Sequence, residues 1–154
     1  MSEFPTTLLD AALFAKLDDL QRATFVRSAD SVALAAGETL YNADEAATGL
    51  YVLVAGTMCV IDPLLTSLGE AGGSHIDRAG SLLSPGSLLE SYSHRHSVKA
   101  ATDATLLHLA RAKFETLFEQ GNPLAFRLLD FLVQDIGSQV RELNRAIQDV
   151  LSES

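Results

Sequence analysis

The spacing of apolar positions changes character twice along this chain. Between Leu8 and Arg27 apolar residues recur at Leu8, Leu9, Ala12, Leu13, Leu17, Leu20 and Ala23, then at Phe25 and Val26. That spacing predicts an N-terminal helix over residues 8–27, regular as far as Ala23. From residue 31 to residue 109 the pattern breaks into short extended runs separated by Gly, Asn and Asp. Gly37 marks a turn before Thr39 to Tyr41, and Asn42 to Thr48 is a polar loop. Gly49 to Ala55 reads as a strand that Gly56-Thr57 turns into Met58 to Ile61. Asp62 to Arg78, with Gly69, Gly72 and Gly73, predicts a long mobile hairpin loop. Ser97 to Ala101 and Ala104 to Leu109 are the last β-like runs. The helical period then returns over residues 110–151. Ala110 to Glu119 forms a short helix, Gly121-Asn122-Pro123 breaks the chain, and a final long helix starts with proline at an early position.

That last helix carries an apolar seam at Leu129, Leu132, Ile136, Val140, Leu143, Ile147 and Val150. The steps are 3, 4, 4, 3, 4 and 3, the coiled-coil period. Arg127, Asp130, Asp135, Arg141, Arg145 and Asp149 fall off it. A helix of this length outruns one side of a small β domain, so part of the seam is expected to meet another surface. The expectation is a homodimer through Leu129, Leu132, Ile136, Val140, Leu143 and Ile147, against the alternative of an ordinary core helix that folds back.

Bulk properties narrow the class. A chain of 154 residues with 47% hydrophobic composition is long enough for one well-packed domain. The net charge of −9, with 11 basic residues scattered along the chain, argues against direct nucleic-acid binding. Cys59 is the only cysteine, so no internal disulfide forms and a reducing cytoplasm is the expected compartment. The N-terminal residues lack the basic and apolar regions of a signal peptide. No apolar run is long enough to span a bilayer, so no membrane association is expected.

The stretch Ala35 to Val60, A-A-G-E-T-L-Y-N-A-D-E-A-A-T-G-L-Y-V-L-V-A-G-T-M-C-V, resembles the opening of the cyclic-nucleotide-binding domain. Leu13-Phe-Ala-Lys-Leu-Asp-Asp-Leu resembles that family's N-terminal helix. Helix, many short strands, short helix and long helix follow the family order from about Leu13 to Asn144. The resemblance implies a mainly β fold: a double-stranded β-helix, or jelly-roll barrel, of about eight strands with an N-terminal helix and two C-terminal helices. It also implies a stand-alone regulatory or sensor module that takes a cyclic nucleotide. No helix-turn-helix DNA module is expected after the long helix.

In that family a cyclic phosphate docks on a segment resembling P-G-d-x-f-G-E-x-a-l-l-x-x-x-P-R-x-A-T-v. Backbone N–H groups at a helix N-terminus and one Arg hold the charge, and the Glu takes the ribose hydroxyl. Here the text is Pro85-Gly86-Ser87-Leu88-Leu89-Glu90-Ser91-Tyr92-Ser93-His94-Arg95-His96-Ser97-Val98-Lys99-Ala100. Glu90 falls on the Gly slot, Ser91 on the Glu slot and His94 on the Arg slot, with Arg95 one residue late. The spacer is shorter by roughly six residues, which removes the small helix that would face the phosphate. The candidate ligand residues are therefore Glu90, Ser91, His94, Arg95 and Ser97, with cAMP or cGMP binding expected to be weak or lost. A bulge that returns Arg95 to the phosphate, or another anion held by His94, Arg95 and His96, are the two ways the site could still work.

Two other readings are open. The domain could act only in protein interaction and dimerisation, or His94-x-His96 could hold a metal as in cupin-like enzymes. The second lacks a following carboxylate before Asp103. Ser81, Ser84 and Ser93 have no evident base, and Gly69 to Gly73 is not followed by Gly-Lys-Ser/Thr. His75, His108 and Cys59 look incidental to catalysis. Neither catalytic activity nor a cofactor or metal is expected.

Overall fold

The computed structural model describes residues 4–61 and 74–152. Its centre is a pair of four-stranded antiparallel sheets. The strands are β1 (Asp30–Leu34), β2 (Thr39–Tyr41), β3 (Gly49–Ala55), β4 (Met58–Ile61), β5 (Ser74–Ile76), β6 (Leu82–Leu83), β7 (Ser97–Ala100) and β8 (Ala104–Ala110). One sheet runs β1-β8-β3-β6 and the other β2-β7-β4-β5. The mainly β expectation holds, but the sheets do not close into a barrel. Among the described residues β1 and β6 end one sheet and β2 and β5 end the other. Within the expected loop at 62–78, Ser74 to Ile76 is a strand that pairs with Met58 to Val60. Residues 62–73 lie outside the described residues.

Strict alternation divides β3 and β8 between two cores. Leu50 and Val52, with Leu107 and Leu109, pack against the helices. Leu53 and Leu106, with Met58, Val98 and Ala100, fill the space between the sheets. Gly49 is required where β3 meets the end of β8, because a side chain there would run into the Leu109 carbonyl.

The N-terminal helix expected over 8–27 is instead three pieces: a 3₁₀ turn at Thr6–Leu8, α1 (Ala12–Ala15) and α2 (Asp19–Ser28). Asp18 imposes the break. Its carboxylate accepts from the Gln21 N–H at 2.8 Å while Gln21 Oε1 accepts from the Asp18 N–H, a reciprocal cap that starts a new helix. The rearrangement buries Leu13, Phe14, Leu17 and Phe25 and leaves Leu9 and Leu20 outside.

At the other end α3 (Arg111–Glu119) and α4 (Pro123–Ser152) appear where the pattern placed them. Gly121 takes the left-handed conformation at φ +68°, and Asn122 Oδ1 accepts the Leu124 N–H at 2.9 Å. The 30 residues of α4 extend about 45 Å. Its first third buries Leu124, Ala125, Leu128 and Leu132.

Here the predicted seam needs correction. Leu132 is 3% exposed and belongs to the chain's own core, with Leu129 half-buried against it. The outward stripe runs through Phe126, Leu129, Val133, Ile136, Val140, Leu143, Ile147 and Val150, with steps that alternate 3 and 4. Phe126, Val133 and every later member are exposed. A straight helix has 3.6 residues per turn, so a 3.5-residue seam drifts across its face. The β core takes the flank that includes Leu132 and leaves the flank that includes Val133.

Candidate functional site

A cavity of about 310 Å³ opens between β2, β4, β7 and the segment joining β6 to β7. Tyr41, Val60, Ser84, Pro85, Tyr92, His94, Arg95, His96 and Val98 line it. The shortened segment is held there by the loop after β2. The Asp44 N–H donates to the His94 carbonyl at 2.7 Å, the His94 N–H to Glu45 O at 2.9 Å, and the Ala47 N–H to Tyr92 O at 2.8 Å. With the bridge between Ala46 and Ser93 this is a small piece of antiparallel sheet. No α-helix occurs in this stretch. Its one helical feature is the 3₁₀ turn Pro85–Leu88, entered from Ser84 in a left-handed conformation, φ 54°.

His94 forms the floor of the cavity. It is 5% exposed and lies flat on Tyr41, with ring centroids 3.5 Å apart and planes 8° from parallel. Its Nδ1 is 3.1 Å from Ser84 Oγ, which also donates to the Tyr41 hydroxyl at 3.4 Å. Burial lowers the His94 pKa, opposed in part by the negative charge of Glu45. The ring is therefore neutral near pH 7, where the resembled motif would have a permanent cation.

Further rings extend the cluster. Tyr92 meets His94 edge-on at 6.1 Å, Tyr41 tilts against Tyr51 at 6.0 Å, and Tyr51 stacks on His108 at 4.3 Å. His108 Nε2 is 3.2 Å from Thr48 Oγ1, and burial lowers its pKa against the opposing charge of Asp30. Burial raises the Tyr41 and Tyr51 pKa values, so both phenols stay protonated.

The five candidate ligand residues separate. His94 and Arg95 line the cavity, His94 below and Arg95 exposed at its mouth. Ser97 is adjacent, but its Oγ accepts the Ala43 N–H at 2.9 Å. Glu90 and Ser91 are exposed and do not line the cavity. Glu90 takes part through its backbone: its carbonyl accepts Arg111 Nη1 at 3.2 Å, and the Ser87 carbonyl accepts the same nitrogen at 3.3 Å. Arg111 therefore ties the 3₁₀ turn to the first residue of α3, a role the linear pattern did not reveal. The available signal was a cation at the start of a helix, where the dipole disfavours it.

Among the described residues no three His, Cys, Asp or Glu side chains come together as metal ligands. A larger open groove of about 710 Å³ lies between α1 and α4, apart from these rings. No described helix is long and apolar enough to cross a membrane.

Two antiparallel sheets with flanking helices, and a cavity where the β6–β7 segment meets the sandwich, define a jelly-roll domain of mainly β structure. The chain belongs to the cyclic nucleotide-binding domain family, whose pattern matches residues 31–121. The fold is similar to that of the N-terminal domain of a transcriptional regulator from Streptomyces coelicolor A3(2). That pair is 25% identical with a TM-score of 0.71, over 91% of this chain and 93% of the other. A putative cyclic nucleotide-binding protein from Geobacter metallireducens GS-15 has 16% identity and a TM-score of 0.67, over 90% of this chain and 99% of that one. The Thermus thermophilus catabolite activator protein has 20% identity and a TM-score of 0.64, over 86% of this chain and 61% of that one. No curated protein matches the sequence.

Proposed function

We propose that this domain is a regulatory module of the cyclic-nucleotide-binding class in which affinity for cAMP or cGMP is weak or lost. The observation that carries the reading is His94. It fills the Arg slot of the resembled motif as a buried neutral ring, stacked on Tyr41 and bonded to Ser84. A cyclic phosphate placed there would give up its hydration without a buried cation in return. The pairing of 92–94 with the loop after β2 holds His94 in that position. Cys59 is the sole cysteine, in keeping with work in a reducing cytoplasm.

Its output surface is the stripe on α4, through which the domain pairs with a second copy. The β-branched Val133, Val140 and Ile147 recur every seven residues, alternating with Leu129, Ile136, Leu143 and Val150. That repeat is the seam of a coiled-coil pair. If no small ligand binds, dimerisation and contact with a protein partner are what the domain does.

Calorimetric titration with cAMP and cGMP tests the first part. The expected result is no saturation in the low-micromolar range, and low-micromolar affinity would overturn the reading. In that event Arg95→Ala identifies the cation, since a variant that binds as well as wild type excludes Arg95. A thermal-shift screen extends the test, because a ligand at a hundred times its dissociation constant adds about 2.7 kcal/mol.

A further inference from the structure

The cavity above His94 is arranged with its charge at the mouth and its rings at the depth. The floor is the neutral His94 on Tyr41, with the edge of Tyr92 beside it. Val60, Val98 and Pro85 supply apolar wall. Glu45 places negative charge close enough to act on His94, so an anion seated deep would be repelled. Arg95 is the only Lys or Arg among the described lining residues, and it stands exposed at the rim. It makes no hydrogen bond or ion pair with any described residue. The volume of about 310 Å³ is at the small end of ligand pockets, which are mostly apolar with a few placed polar groups.

We propose that this cavity binds a one- or two-ring aromatic carboxylate, ring inward against Tyr41, His94 and Tyr92 and carboxylate outward on Arg95. The inference rests on the reading that His94 has closed the nucleotide phosphate site. It follows from polarity. A phosphate monoanion needs its cation at the depth, whereas a flat acid needs apolar and ring surface at the depth and one guanidinium outside. A planar carboxylate also matches the two-pronged donor geometry of Arg95. A neutral ring would leave that guanidinium unused, and a cationic one would be repelled by it.

Titration calorimetry of the full chain with benzoate, indole-3-carboxylate and 2-naphthoate, each beside its carboxamide, tests this, with cAMP and cGMP in the same series. At least one acid is expected to saturate below millimolar concentration, with its amide weaker by about tenfold or more. Arg95→Gln should bring the acid down to the level of its amide, and Arg95→Lys should recover part of the difference. Val60→Trp, which fills the cavity from a strand wall, should remove binding while circular dichroism stays unchanged. Equal binding of acid and amide, unchanged binding in Arg95→Gln, or failure of all three acids would each overturn the proposal. Failure of the acids with the nucleotides also silent leaves the closed phosphate site standing. Low-micromolar nucleotide binding removes both.

Discussion

At the mouth of the sandwich Tyr92, His94, Tyr41, Tyr51 and His108 rest on one another, and Ser84 satisfies the polar edges of His94 and Tyr41. Along α4 beyond Leu132 the opposite holds, and Val133, Ile136, Val140, Leu143, Ile147 and Val150 face water. The rings find their contacts within the chain, whereas the stripe stays exposed. A buried polar ring costs little once hydrogen-bonded and stacked, so the mouth is stable without a ligand. An apolar stripe of this length has no such internal remedy and is an association surface or an aggregation liability.

The largest effect that would break this contrast lies on the stripe. Ile136→Asp with Leu143→Asp should convert a dimeric wild type into a folded monomer, read by sedimentation velocity. A wild type already monomeric at high micromolar concentration would reduce the stripe to an exposed face. Next in size is the difference between the two parts of the same helix. Leu128→Ala, in the core, should cost about 2–5 kcal/mol in denaturant unfolding. In the monomeric background Val140→Ala should cost well under 1 kcal/mol, as at other surface positions. Equal costs would mean that the outer half of α4 packs somewhere within the chain.

At the mouth the contrast sharpens with pH. His94 and His108 both have pKa values lowered by burial in the folded state. The unfolded chain titrates near the ordinary value of about 6.5, so below that it binds more protons than the folded chain. Stability present above about pH 6.5 should therefore be lost as pH falls through that value and on toward the lower folded pKa values. Denaturant midpoints across this range should drop on the acid side, and His94→Gln should flatten the drop. An unchanged slope would mean that His94 is protonated in place. The smallest effect concerns Arg111. Arg111→Met should cost about 1 kcal/mol and speed hydrogen exchange at Leu89 and Glu90, whose N–H groups bond Gly86 O at 3.0 and 3.2 Å. Exchange within β3 should stay slow. If Leu89 and Glu90 do not respond, the turn is held by its own geometry and Arg111 does not join it to α3.

Much of this architecture is legible before folding, because local rules govern it. Gly49 and Gly56 mark strand ends, Asn122-Pro123 starts α4, and Pro85-Gly86 opens the cassette, each at its expected place. The capping pair Asp18 and Gln21 was equally local, but a continuous apolar period over 8–27 concealed it. What linear reasoning missed involves long separations. His94 finds Tyr41 only because loop 42–48 pairs with 92–94, and Tyr51 meets His108 only through the antiparallel register of β3 and β8.

The sequence by itself determined the strands, the turns and the long helix, because propensity and turn chemistry act within a few residues. Only the tertiary structure decided which flank of α4 is consumed. Leu132 and Val133 are neighbours of similar character, and one is 3% exposed while the other is 57%. The β core fixes the rotation of the helix through Leu124, Leu128 and Leu132, and that rotation turns Val133 and its heptad partners outward.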